Sequence, residues 1–153
     1  MKALTLIQPW AWAILNGKPV ENRTWAFPER LRGQIIALHA GQKHDDEAAE
    51  WISRTFGLQV PARADMAHGA IVGTARLLGV TTSGSELSPA QRRWFFGPFG
   101  FLLGDVVACE PLSCPGALGL WEVPPSALEH LVPLDPEAAD RQADAYWRGR
   151  AAP

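Results

Sequence analysis

Residues 17–25 read Gly17-Lys18-Pro19-Val20-Glu21-Asn22-Arg23-Thr24-Trp25. This stretch combines two cations, a carboxylate, an amide and an indole, and it directly follows an apolar segment with helical spacing. In an extended chain, successive side chains point to opposite faces. Glu21, Arg23 and Trp25 then share one face, and Lys18 reaches the same rim from the preceding turn. The stretch therefore predicts a helix, a turn and a strand that together carry a cluster of polar groups.

The chemistry of this cluster suits a nucleobase or a nucleotide. Arg23 offers a planar fork of donors for a phosphate or a carboxylate. Glu21 accepts from an amine or from Arg23, and Trp25 offers a flat stacking surface. A second interpretation stays open, in which Glu21 and Arg23 only pair with each other on an exposed strand and Trp25 lies in the core. The sequence also leaves open whether Glu21 pairs with Lys18 or with Arg23.

Composition predicts one domain over residues 1–153. The chain has 47% hydrophobic and 20% charged residues, enough apolar material for one core. A net charge of -2 argues against a protein that coats nucleic acid, because such domains are usually strongly basic. Any nucleic-acid role must then rest on a local basic patch, for which the candidates are Lys18, Arg23, Arg30, Arg32 and Lys43.

Two cysteines, Cys109 and Cys114, are too few for a disulfide framework and are poorly placed for zinc. We therefore expect free thiols, no metal and no cofactor. The N-terminus lacks a cleavage-like segment, and no apolar stretch approaches membrane-spanning length. A cytoplasmic monomer that does not bind membranes is the expectation.

Periodicity and breaker residues predict alternating short elements. The predicted strands are 2–7, 20–24, 34–40, 69–80, 99–103, 105–112 and 116–123, and the predicted helices are 9–16, 45–56, 88–94, 124–131 and 135–148. Strands without regular helical alternation predict an α+β fold with a small barrel. Residues 124–153 are expected to form a helical extension packed on it, with Ala139, Ala143, Tyr146 and Trp147 buried.

Two further features allow two interpretations each. His39 ends the apolar run 34–40, and a histidine there is a hydrogen-bonded structural residue or a catalytic group. The aromatic run 94–101 is a stacking platform for bases or part of the core. In both cases the structural interpretation is favoured.

Several motifs, in colinear order over residues 2–123, resemble the ASCH (activating signal cointegrator homology) family of the PUA-like superfamily. They are Thr5-Leu6-Ile7-Gln8-Pro9-Trp10, Lys18-Pro19-Val20-Glu21-Asn22-Arg23-Thr24-Trp25, Gly33, His39-Ala40-Gly41, Gly69-Ala70-Ile71-Val72-Gly73, Phe96-Gly97-Pro98-Phe99-Gly100-Phe101 and Gly119-Leu120-Trp121-Glu122-Val123.

The resemblance implies a small mixed β-barrel flanked by helices, with a cleft for RNA or a nucleotide-like ligand. It places Lys18, Glu21 and Arg23 at that cleft. Small bacterial proteins that resemble this chain include amidohydrolases acting on N4-acetylcytidine, which work with a lysine, a threonine and a glutamate, and others described as RNA-binding or ribonucleolytic. Lys18 matches the amidohydrolase lysine, whereas Glu21 occupies the position of the threonine.

Three functional hypotheses follow. The first is a module that binds RNA, single-stranded nucleic acid or a modified nucleoside. Its ligand-binding candidates are Trp10, Lys18, Glu21, Asn22, Arg23, Trp25 and His39. Trp10 or Trp25 would stack a base, Lys18 and Arg23 would hold phosphate, and Asn22 or Glu21 would read a base edge.

The second hypothesis is an amidohydrolase or a ribonuclease. Its catalytic candidates are Lys18 and Glu21: the carboxylate would activate water and the ammonium would stabilise an oxyanion. His39 is a further candidate. The third hypothesis is an interaction protein that meets its partner through the helix at 138–147.

Overall fold

The computed structural model describes the backbone of residues 1–151 and the side chains of residues 1–144. Its strands are β1 (Lys2–Gln8), β2 (Val20–Arg23), β3 (Ile35–His44), β4 (Ala70–Thr81), β5 (Phe99–Ser113) and β6 (Leu120–Glu122). Its α-helices are α1 (Trp10–Leu15), α2 (Asp46–Phe56), α3 (Pro89–Arg92), α4 (Pro125–Leu128) and α5 (Pro136–Ala151).

The six strands form one mixed sheet in the order β2-β5-β4-β3-β1-β6. β1 and β3 are parallel, and the other neighbouring pairs are antiparallel. The parallel pair requires a long crossover, which α1, β2 and the loop after β2 provide. The predicted α+β class is confirmed.

The sheet curls strongly, so that strands distant in the sheet order come together. In a flat sheet β2 and β1 would lie about 19 Å apart, at four spacings of about 4.8 Å. Instead, Arg23 of β2 donates from Nη2 to the backbone oxygen of Thr5 in β1 at 2.9 Å. A side chain thus joins the two strands where no ladder does, and the space between them becomes a cleft.

The main core lies between the curled sheet and α1. Its buried members include Leu4, Ile14, Leu38, Leu77 and Phe101. A second cluster of Ala13, Val20, Ile52 and Trp94 joins α1 and β2 to α2 and the segment after α3. The helix–turn–strand junction at residues 17–25 therefore packs against both hydrophobic clusters.

One prediction about the strands is wrong. Residues 99–103 and 105–112 were expected to be separate strands, but they form the single strand β5. Asp105 has a φ of 47° and lies at a register shift between β4 and β5, opposite residues 74–76. Aspartate tolerates this left-handed conformation better than most residues. A β-bulge therefore bends the strand where Gly104-Asp105 resembles a turn.

The helix predicted at 45–56 is confirmed, with Asp45 as its N-cap and Gly57 closing it at a φ of 66°. The last helix also starts as predicted, because Asp135 accepts a hydrogen bond from the backbone nitrogen of Ala138. Ala143, however, is exposed rather than buried. The side chains of Tyr146 and Trp147 lie outside the described residues.

Polar contacts of Arg76 and Gln142 anchor α5 to the sheet. Arg76 of β4 donates from Nη2 to the backbone oxygen of Gln142 at 2.9 Å and from Nε to Asp105 Oδ2 at 2.7 Å. Its Nη1 donates to the oxygen of Gly33 at 2.7 Å. Gln142 Nε2 also donates to the oxygen of Asp105 at 2.7 Å. The C-terminal helix therefore packs on the sheet through polar contacts.

In the part of the chain that the structure describes, no helix is long and apolar enough to cross a membrane. Cys109 and Cys114 are free thiols. Burial raises the pKa of Cys109 to about 11, so this thiol is protonated at neutral pH.

Candidate functional site

A cleft of about 480 Å³ opens between β1, α1, β2 and the turn at residues 94–97. It is lined by Thr5, Ile7, Trp10, Lys18, Glu21, Asn22, Arg23, Thr24, Trp25, Phe96 and Gly97. We call it the Lys18 cleft. Its volume lies in the range of sites for small molecules.

The local sequence explains how α1 and β2 form one wall of the cleft. α1 ends at Leu15, and Gly17 then adopts a φ of 108°, which favours glycine. The backbone nitrogen of Lys18 returns to the oxygen of Ala13 at 2.9 Å. This turn aims the Lys18 side chain under the first residues of β2.

Lys18, Glu21 and Arg23 form a chain of charges in the cleft. Lys18 Nζ donates to Glu21 Oε1 at 2.6 Å, and Arg23 Nη2 donates to Glu21 Oε2 at 3.3 Å. The carboxylate therefore pairs with both cations, one through each oxygen. This answers the question that the sequence leaves open, and it confirms that Glu21 and Arg23 share a face.

Lys18 is buried to an unusual degree for a lysine. Only 2% of its side chain is exposed, and 8% of that of Glu21. Lysine is rarely buried so completely unless it is paired. Besides Glu21, its ammonium lies 4.5 Å from the centre of the Trp10 ring, a cation–π distance. The fold thus bears the cost of desolvating an ammonium and a carboxylate at the floor of an open cleft.

Arg23 keeps unused hydrogen-bonding capacity. Its Nη2 contacts Glu21 and the backbone of Thr5. Its Nε is buried and has no hydrogen-bond partner among the described residues. Buried polar groups usually have a hydrogen-bond partner, so an unpaired guanidinium nitrogen beside a cleft is an exception. After a small shift of the side chain, this nitrogen could donate a hydrogen bond to an oxygen of a ligand.

Asn22 fixes the opposite wall. Its Oδ1 accepts from the backbone nitrogens of Phe96 and Gly97 at 2.7 and 3.2 Å, and its Nδ2 donates to the oxygen of Trp94 at 2.8 Å. Asn22 lines the cleft, and its amide holds the 94–97 turn in place. A further role in reading a base edge stays a prediction.

The aromatic side chains of the cleft differ in exposure. Trp25 is half-buried and packs edge-on against Phe101 at 5.1 Å. Trp10 is half-buried between Lys18 and Trp51. Phe96 is 64% exposed at the rim. Phe96 is absent from the predicted site residues because the run 94–101 is interpreted as core. In that run Trp94 and Phe101 are buried, and Phe95 is half-buried against the core.

His39 does not line the Lys18 cleft. Its Nε2 donates to the backbone oxygen of Cys114 at 2.7 Å, and its Nδ1 lies 3.3 Å from the hydroxyl of Thr5. That hydroxyl also accepts from Trp121 Nε1 at 3.0 Å. His39 therefore fixes the loop after β5 against β1. A direct ligand contact by His39 stays a prediction.

Of the seven predicted ligand-binding residues, the cleft unites Trp10, Lys18, Glu21, Asn22, Arg23 and Trp25. Of the predicted basic patch, Lys43 lines a neighbouring cavity, and Arg32 pairs with Glu29 away from the cleft. Among the residues that the structure describes, no group of three or more histidine, cysteine or acidic side chains could hold a metal ion.

Comparison with known proteins gives a structural match only. No protein-family model and no curated protein matches the sequence. The crystal structure of ASCH from Zymomonas mobilis aligns with a TM-score of 0.50 and 19% identity, over 84% of this chain and 90% of that one. Two point variants of the same Zymomonas mobilis protein align over 84% of this chain and 93% and 91% of theirs, with TM-scores of 0.49 and 0.48 and identities of 18% and 20%.

At this level of identity the likeness establishes the fold. It agrees with the fold that the sequence motifs imply. The chain is folded as an ASCH domain.

Proposed function

We propose that the chain binds single-stranded RNA by holding one nucleotide in the Lys18 cleft. The observation that carries this proposal is the buried Lys18–Glu21 pair, joined to Arg23, at the floor of an open cleft. A stable core would be simpler without these charges, because a buried ion pair is often no more stabilising than apolar residues of the same volume. Binding of a polar ligand would explain why these charged side chains lie at the floor of the cleft.

The charge of the cluster suits a phosphate. Lys18 and Arg23 together carry two positive charges and Glu21 one negative charge, so the three side chains sum to +1. Arg23 already has one guanidinium nitrogen fixed on Thr5, which pre-orients its planar donors for a phosphate oxygen. The chain as a whole is acidic, at -2, so the proposal rests on this local charge alone.

Phe96 is the side chain best exposed for stacking. Its ring forms the rim of the cleft, and Asn22 holds the backbone beneath it. A base on this ring would lie near the half-buried Trp25 and Trp10, which the sequence analysis had proposed as stacking partners. We propose further that the protein is a cytoplasmic monomer and that it binds RNA without a cofactor or a metal ion.

A hydrolase is the second candidate. The contact between Lys18 and Glu21 at 2.6 Å favours it, since it places a carboxylate and an ammonium side by side in the cleft. Yet each oxygen of Glu21 already contacts a cation, so activating a water would require sharing an occupied oxygen. We therefore rank binding before hydrolysis of an N4-acetylcytidine-like substrate or of RNA.

Binding of a fluorescently labelled, mixed-sequence RNA of eight nucleotides tests the first candidate. We expect Phe96→Ala to weaken it by roughly five- to a hundred-fold, because a stacked base is worth about 1–3 kcal/mol. Arg23→Gln should weaken it and lower the slope of log affinity against log salt by about 0.7, the value of one phosphate contact on a single strand.

Arg54→Gln is the matched control, since this arginine is 72% exposed on α2 outside the cleft. It should leave affinity and salt slope unchanged. If Arg54→Gln and Arg23→Gln weaken RNA binding equally, the RNA is attracted by general positive charge, and a specific site in the cleft is contradicted.

Mass spectrometry of N4-acetylcytidine and of the same RNA tests the second candidate. If binding is the function, the wild type releases no acetate and produces no new RNA ends over many hours. Turnover that disappears in the paired variant Lys18→Met/Glu21→Leu would make the chain a hydrolase instead.

A further inference from the structure

The Lys18 cleft does not end at Arg23. A second cavity of about 410 Å³, here the middle cavity, shares Thr5, Ile7 and Arg23 with it. A third cavity of about 920 Å³, here the His39 cavity, shares Thr5, Gly41, Gln42, Ala117 and Leu118 with the middle one. Thr5 lies in the wall of all three, so the cavities adjoin one another along β1, and we call the three together the groove.

The far wall of this groove is fixed. His39 donates to the backbone oxygen of Cys114 at 2.7 Å. At Gly116 the loop packs so closely that an added Cβ would lie 2.7 Å from the His39 ring and 2.8 Å from the Thr5 hydroxyl. The loop at 113–119 is therefore docked on β1 and β3, and the groove beside it is a formed surface.

Beyond the Lys18 cleft, the described residues that line the groove include no carboxylate. The chain has 16 acidic residues, but none lies among the described residues that line the middle and His39 cavities. Arg23 lies at the first junction and Lys43 in the middle cavity. Arg63 lines a smaller cavity that shares Gln42 and His68 with the His39 cavity. Arg23 and Lys43 thus line the groove and Arg63 lies in a cavity next to its far end, and such cations can contact phosphates of a bound strand.

Exposed apolar side chains alternate with these cations. Ile7 is 44% exposed where the Lys18 cleft meets the middle cavity. Leu118 is 98% exposed where the middle and His39 cavities meet. Such side chains can pack against the flat faces of bases, and a surface that combines cations with exposed apolar side chains suits an unpaired strand, whose bases are accessible.

We propose that the ligand is an RNA single strand of several nucleotides, which leaves the Lys18 cleft past Arg23 and continues along the groove beside Lys43 and Leu118. This inference rests on the proposed function, since the first nucleotide occupies the Lys18 cleft. It assigns the middle and His39 cavities as additional nucleotide sites.

The experiment compares a mixture of the four nucleoside monophosphates with mixed-sequence RNA pools of two, four and eight nucleotides. We expect affinity to rise with length and then to level off once the groove is filled. Lys43→Gln should weaken the four-nucleotide pool by about three- to five-fold, as expected for one exposed ionic contact, and leave the monophosphates unaffected. Leu118→Ser should act in the same way, and its exposed position keeps the fold intact.

Arg54→Gln again serves as the control, because this arginine is 72% exposed on α2 and does not line any of the cavities described here. Monophosphate binding that needs Arg23 but does not strengthen with length overturns the groove and leaves the proposed function standing. Failure of monophosphates and of all pools to bind overturns both. Equal losses in Lys43→Gln and Arg54→Gln also overturn the groove, since they indicate general charge attraction.

Discussion

Glu21→Ala should destabilise the chain by about 3–5 kcal/mol, because it leaves the ammonium of Lys18 buried without its partner. The side chain of Lys18 is only 2% exposed, so its ammonium has little contact with water to replace the lost carboxylate. Native domains are stable by only about 5–15 kcal/mol, so the loss is a large share of the total. Urea denaturation followed by tryptophan fluorescence measures it, and the melting temperature should fall by roughly 10 °C.

The chain supplies a matched control with the same sequence spacing. Glu29 and Arg32 are also three residues apart and form an ion pair, but their side chains are 76% and 52% exposed. The Arg32 hydrogen bond lowers the pKa of Glu29, yet solvent screens this pair. Glu29→Ala should therefore change stability little.

A double variant distinguishes the effect of the buried charge on stability from the effect of altered packing. Lys18→Met/Glu21→Leu removes both charges and keeps the volume, so most of the lost stability should return while nucleotide binding does not. If the paired variant is as unstable as Glu21→Ala, the loss comes from altered packing, and the argument from the unpaired ammonium is wrong.

Arg76→Met should cost about 3 kcal/mol and release α5 from the sheet. Arg76 is 10% exposed and donates to Asp105, Gly33 and Gln142. Hydrogen bonds from a charged group are worth about 1.5–3 kcal/mol each, and the exposed partners recover part of this from water. Hydrogen exchange should show lost protection in residues 136–151 beyond the general destabilisation.

Arg141→Met is the control on the same helix. Arg141 is 68% exposed and pairs with Asp135 and Glu137 at 3.7 and 3.8 Å, so its removal should have little effect. If Arg76→Met lowers stability while α5 keeps its protection, the helix is held by other contacts, and the anchoring role assigned to Arg76 is wrong.

Local signals in the sequence predicted the elements that depend on local physics. The cap at Asp45, the stop at Gly57 and the extended stretch 20–24 are examples. The sequence predicts two strands, 99–103 and 105–112, where the structure has the single strand β5, and the break falls at the dipeptide Gly104-Asp105. Only pairing with β4, which is distant in sequence, turns that dipeptide into a bulge.

In the candidate site too, the residues that are close in sequence were predicted and those brought in from distant segments were not. The spacing of Lys18, Glu21 and Arg23 was sufficient to predict that they meet, since a turn and one strand bring them together. Thr5 and Phe96 were missed as site residues because they enter the cleft through the curl of the sheet and through Asn22. Such contacts between distant segments leave no periodic signal in a single sequence.

The hydrogen bond from Arg23 to Thr5 connects the proposed ligand site with the contact that holds β2 against β1. The guanidinium that faces the cleft also fastens β2 to β1, so a ligand that immobilises it tightens the fold. A ligand present at a hundred times its dissociation constant stabilises the native state by about 2.7 kcal/mol. Nucleotides and oligonucleotides can therefore be ranked as ligands by the melting temperature that they confer.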